Sequence, residues 1–71
     1  MGKMLHRKTN NVRSLREEMM ISKAELAKRA DLSIPTIDRV EKGYTCRMDT
    51  KRKIIIALGL SLNERERVFS D

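Results

Sequence analysis

Residues 23–43, KAELAKRADLSIPTIDRVEKG, carry the reading that decides the fold. Ser22 precedes the stretch and Glu25 follows three positions later, the spacing of a capping box at a helix start. Leu26, Ala27 and Ala30 then fall on one helical face. Asp31 interrupts the pattern, and Ser33 is a suitable cap for the next start. Pro35 fits only a first turn, where its missing N–H is not needed. It also biases Ile34 away from helical backbone, so a start at Pro35 itself stays open. Ile37 and Val40 form the next apolar stripe, and Gly43 is placed for a left-handed stop. The expectation is two short helices joined by a tight turn.

On a wheel at about 100° per residue, Ile37 and Val40 face inward, with Ile34 and Glu41 on the flanks. Pro35, Asp38, Arg39 and Lys42 point the other way. That outer face mixes an apolar tip, long cations and an acid. An ordinary solvated face reads the same on a wheel, so the rest of the stretch must decide between the two.

The stretch resembles the Cro/phage-repressor (Xre-type) helix-turn-helix family. Leu26-Ala27 stands where that family has Leu-Ala, small because two helices cross closely there. Ala30 and Leu32 are the next apolar pair. The run Ser33, Thr36-Ile37, Arg39-Val40-Glu41 and Gly43 matches the recognition helix and its end. A weaker resemblance extends from about Val12 to Phe69. Three residues depart from the pattern: Lys23 where Gln is usual, Asp31 where the turn usually has Gly, and Met20 where Gly often ends the first helix. Asp tolerates the left-handed region better than most residues, so the turn survives. The resemblance implies an all-α, lambda-repressor-like DNA-binding domain, a compact bundle of about five short helices. It says nothing about the target sequence.

Composition agrees with that class. The chain has 71 residues, enough for one domain. Aromatics are nearly absent, and no segment alternates with the period of a strand. The net charge of +6 and pI near 10 favour polyanionic partners, with membrane surfaces as the rival. No run reaches about 18 apolar residues, and no signal peptide is visible, so a cytoplasmic protein is expected. One Cys and one His exclude a disulfide framework or an intrachain Cys/His metal cluster. No metal or cofactor is expected.

Residues 1–9, MGKMLHRKT, form a basic stretch with no helix-start logic, separate from a domain over 10–71. It reads either as a frayed terminus or as an arm that follows DNA. The first helix is expected from Asn10 or Asn11 to Met19, with Val12, Leu15 and Met19 on one face. Arg16 sits in the middle of that face, and Glu41 sits beside the inward stripe of the recognition helix. Each is out of place alone, and a half-buried charge without a partner costs several kcal/mol. The two oddities resolve if Arg16 and Glu41 pair, and the family resemblance implies the same pair.

For DNA contacts, Arg39 leads, because a guanidinium binds guanine O6 and N7 in a bidentate way. Ile34 and Pro35 suit thymine methyl groups, although Ile34 also fits a core position. Asp38 either accepts from a cytosine amino group or pairs with Lys42 at i, i+4. Lys23 opens a helix, where the first-turn N–H groups favour a phosphate. Thr36 caps or touches phosphate. The resemblance implies that the following loop and helix start also meet the backbone, through Lys42, Thr45, Arg47 and Arg52. Cys46 stands where the family often has Pro and reads as a small, partly covered side chain.

A fourth helix, about Met48 to Leu58, is expected to bring Met48, Ile54, Ile55 and Leu58 inward. Lys51 falls in that stripe and is expected to snorkel outward. Ser61 and Glu64 form a second capping box opening a short helix through about Phe69. Ile56, Leu62, Val68 and Phe69 could leave an apolar patch, and the resemblance implies that this C-terminal end makes the homodimer contact; closure of the monomer core by Leu62 and Phe69 is the alternative. A dimer would set two recognition helices about 34 Å apart over a near-palindromic double-stranded operator. The expected function is a sequence-specific transcriptional regulator of repressor type, placing residues 33–42 in the major groove. An antitoxin-like or adaptor protein gripping another protein through its C-terminal patch is the alternative, favoured if a neighbouring gene encodes a small toxin. Nothing in the sequence supports an enzyme.

Overall fold

The structure, a computed structural model, describes residues 10–69 of the 71. The basic stretch 1–9 therefore lies outside the described residues. Four α-helices and one 3₁₀ segment follow in order: α1 Val12–Glu18, α2 Lys23–Ala30, α3 Ile34–Glu41, α4 Met48–Ala57 and the 3₁₀ segment Leu62–Arg67. No strand occurs among the described residues.

Short helices need strong ends, and these have them. Ser22 Oγ accepts from the Glu25 N–H at 3.0 Å, so the expected cap forms. The reciprocal half of the box does not, because the Glu25 carboxylate instead takes the Arg29 Nε–H at 3.0 Å. Ser33 caps α3 by accepting from the Thr36 N–H at 3.2 Å, with Pro35 inside the first turn. The start is thus Ile34, one residue ahead of the slipped alternative.

All four α-helices stop by one device. Met20, Asp31, Gly43 and Gly59 take positive φ (59°, 59°, 94° and 82°). After each, the next N–H reaches back five residues: Ile21 to Arg16, Leu32 to Ala27, Tyr44 to Arg39 and Leu60 to Ile55. This is the bonding of a Schellman stop. Glycine takes the conformation freely at two of the stops, aspartate tolerates it, and Met20 does so at a cost of about 1–2 kcal/mol.

The core gathers Val12, Leu26, Ala27, Ile37, Val40, Ile54, Ile55, Leu58, Val68 and Phe69. Leu26, Ile37 and Ile54 are fully buried, each contributing roughly 1.5–3 kcal/mol. Two asparagines tie the start of α1 to the rest. Asn10 Nδ2 donates to the Val40 carbonyl at 2.8 Å while its Oδ1 accepts from the Val12 N–H at 3.1 Å. Asn11 donates to the C-terminal segment twice: its N–H to the Val68 carbonyl at 2.9 Å and its Nδ2 to Arg67 O at 2.8 Å.

Several expectations need correction. Met48 is 79% exposed rather than inward, because it opens α4 on the solvent side of the stripe. Met19 is also exposed and caps α1 instead of packing within it. The last element, expected as a short helix, is present but takes the 3₁₀ form and ends at Arg67. Glu64 departs from helical backbone, although its carboxylate does accept from the Ser61 N–H at 3.1 Å. Val68 and Phe69 are core residues, 0% and 8% exposed, so their side chains chiefly close the monomer core. Of the four expected dimer contacts, only Ile56 and Leu62 stand exposed.

Candidate nucleic-acid interface

The α2–α3 pair presents one face to solvent, and its inner side is pinned. Arg16 Nε donates to Glu41 Oε2 at 2.7 Å and Nη2 to Oε1 at 3.2 Å, while Nη1 donates to the Ile21 carbonyl at 3.0 Å. The side chains are 11% and 4% exposed. This pairing of Arg16 with Glu41 joins the end of α1 to the end of α3. Hydrogen bonding to Glu41 raises the Arg16 pKa, against a smaller opposing effect of burial. The guanidinium stays charged, and a charged, bidentate pair has only one good geometry. The pair therefore ties the end of α3 to α1.

On the outer side, Ile34, Pro35, Arg39 and Lys42 are exposed. Asp38 is partly covered and is not a free acceptor. Lys23 Nζ lies 2.6 Å from its Oδ1 and Lys42 Nζ 2.9 Å from its Oδ2. Hydrogen bonds from Lys23, then from Lys42, hold the Asp38 carboxyl down to about 2. The same contact raises the Lys42 pKa. Any base contact by Asp38 would have to form beside these two ammonium groups, which already engage both carboxylate oxygens. The expected Lys42 pairing is present, and the Lys23 pairing across the turn is an addition that helical spacing does not reveal.

Arg39 lies with its guanidinium 5.5 Å from the Tyr44 ring centroid, within cation–π reach. Tyr44 had no role in the reading of the sequence. Arg39 also lines a depression of about 260 Å³ between α3 and the start of α4, with Leu32, Thr36, Val40, Thr45, Cys46, Arg47 and Thr50. Two guanidinium groups and three threonines around one concavity suit a phosphate. Thr50 is the member the sequence did not single out. Thr36 Oγ1 shares a 2.8 Å hydrogen bond with Ser33 Oγ, so it serves the cap. Arg52 is exposed and 3.2 Å from Asp49, on the first turns of α4. Cys46 is partly covered, as expected.

A helix-turn-helix family model matches residues 12–65, most of the chain. The chain belongs to the Cro/C1-type helix-turn-helix family. Its architecture is the lambda-repressor-like fold, and it is a DNA-binding domain of the transcription-regulator kind. No individual curated protein matches it. Two features expected of a Cro/C1-type domain have local substitutes here: Lys23 reaches Asp38 from the first turn of α2, and Asp31 makes the turn. Among the described residues no helix is long and apolar enough to cross a membrane, and no cluster of His, Cys, Asp or Glu has metal-binding geometry.

Proposed function

We propose that this protein is a sequence-specific repressor of phage or mobile-element type, acting as a homodimer on a near-palindromic operator. In this reading α3 enters the major groove. Arg39 reads a guanine edge, and Ile34 and Pro35 meet thymine methyl groups at the helix tip. Arg47, Arg52 and Thr45 meet backbone oxygens, with Lys23 and Lys42 adding charge as partners of Asp38. The observation that carries the reading is the exposure of Arg39 beside the Arg47 concavity, on a helix whose inner side is locked by Arg16–Glu41. Base readout and backbone anchoring then lie on adjoining surface. Exposed Ile56 and Leu62 support the homodimer.

The experiment is selection of bound duplexes from random sequence, with wild type, Arg39→Ala and Arg47→Ala. Arg39→Ala should relax one position of the selected motif at a cost of about 1–3 kcal/mol. Arg47→Ala should weaken all duplexes alike and lower the salt slope by about one. No enrichment with wild type would end the proposal.

A second reading, an antitoxin-like or adaptor protein, rests on a depression of about 470 Å³ lined by Met48, Lys51, Ile55, Leu62, Arg65 and Phe69. Lys51 does not simply snorkel there but lies 5.5 Å from the Phe69 ring centroid. That reading gains if Leu62→Asp abolishes capture of a neighbouring gene's product while leaving duplex binding intact.

A further inference from the structure

We propose that Asp38 sets the selectivity of this interface by binding Lys23 and Lys42 together, so that two lysines act on DNA as one net positive charge. The inference rests on the proposed DNA-binding function and deepens it. An acid on the outer face of α3 would otherwise be a liability, since every duplex presents phosphates to that face.

The geometry is specific. Each carboxylate oxygen takes a different ammonium, Oδ1 at 2.6 Å from Lys23 and Oδ2 at 2.9 Å from Lys42. Lys23 comes from the first turn of α2 and Lys42 from the end of α3, so the trio spans the helix-turn-helix on its outer side. Its side chains are 39%, 31% and 61% exposed for Lys23, Asp38 and Lys42, close enough to solvent to face a docked duplex. The carboxyl stays ionised down to about 2, held first by Lys23, so the arrangement persists throughout the physiological range.

Two consequences follow for binding. Non-specific complexes draw on phosphate contacts, and a freed ammonium always finds a phosphate on a duplex along which the protein can shift. Holding both ammonium groups on one acid removes part of that indiscriminate attraction. A specific complex has its register set by base edges, so it gains less from freed lysines. It also depends on α3 keeping its place against α2, which the Lys23–Asp38 contact supports. Asp38 is thus a positioning residue, lowering affinity for the wrong duplexes more than for the right one.

The test uses the full chain, a duplex enriched from random sequence by the wild type, and a scrambled duplex of equal length. Affinities are read over a salt series. Asp38→Asn should bind the scrambled duplex more tightly at low salt, with a slope steeper by about 0.9, so that a fourfold rise in salt weakens it roughly threefold more than wild type. The ratio of enriched to scrambled affinity at low salt should fall, because the scrambled duplex gains more than the enriched one. Asp38→Glu, which keeps the charge, should stay near the wild-type slope. A thermal melt checks folding; if Asp38→Asn does not fold, Lys42→Gln, at the most exposed site of the trio, replaces it and should give a shallower slope with a higher ratio. An unchanged ratio and slope in the folded variant overturns the inference. Wild type that retards no duplex at all overturns the proposed function instead.

Discussion

Removing Glu41 should be the most damaging single change outside the apolar core. Its carboxylate is 4% exposed and takes two donors from Arg16, which is itself 11% exposed. In Glu41→Ala the guanidinium keeps one partner, the Ile21 carbonyl at 3.0 Å, and loses its counter-charge while remaining enclosed. Breaking a buried pair from one side costs about 3–5 kcal/mol. At about 0.05–0.15 kcal/mol per residue, a chain of this length holds roughly 4–11 kcal/mol in all. The variant therefore loses about a quarter or more of its stability, and its midpoint should drop by roughly 12–40 °C. Urea unfolding followed by circular dichroism measures the difference directly. The companion is Arg16→Met with Glu41→Met, which removes both charges and should recover most of the loss. Duplex affinity should not recover with it, because the apolar pair lacks the two bonds that tie the end of α3 to α1. A Glu41→Ala variant within about 1 kcal/mol of wild type would refute the assignment of an enclosed, paired charge.

Three further outcomes are expected. Met20→Gly should stabilise the fold by about 1 kcal/mol, raising the melting midpoint by roughly 4–8 °C, since Met20 is 90% exposed and holds a left-handed φ of 59°. Asn10→Ala should cost about 1–2 kcal/mol in chemical denaturation, because it removes the N–H acceptor for Val12 and the bond to Val40 together. The Asp38 carboxyl is depressed from 3.8 to about 2, so its contribution is full above 3.8 and is lost as pH falls toward 2. Stability measured across that window should fall with acid in wild type, and less steeply in Asp38→Asn.

Caps, apolar periods and stop residues made most of the fold legible. Ser22, Ser33 and Gly43 speak through their own chemistry, and each sits where its residue type requires. The Arg16–Glu41 contact was legible too, because two charges in apolar stripes each demand a partner. What stayed hidden depends on distance in space rather than on spacing along the chain. Lys23 and Asp38 are on different helices, and nothing periodic links them. Tyr44 follows a glycine stop, and its ring meets Arg39 only because the chain turns back there. Val68 and Phe69 follow a charged run that suggested a surface patch. Their burial reflects the Asn11 bonds to Arg67 and Val68, which draw the C-terminal segment onto α1. Met48 looked apolar enough for the core, but its place at the first position of α4 turns it to solvent.

The Lys23–Asp38 contact bears on how target preference can be transplanted. Exchanging only the outward residues of α3 for those of another regulator would strand Lys23, or leave an incoming acid without its counterpart. The smallest portable cassette is therefore both helices with their turn, and chimaeras that swap a single helix should inherit the donor's letters with a blurred alphabet.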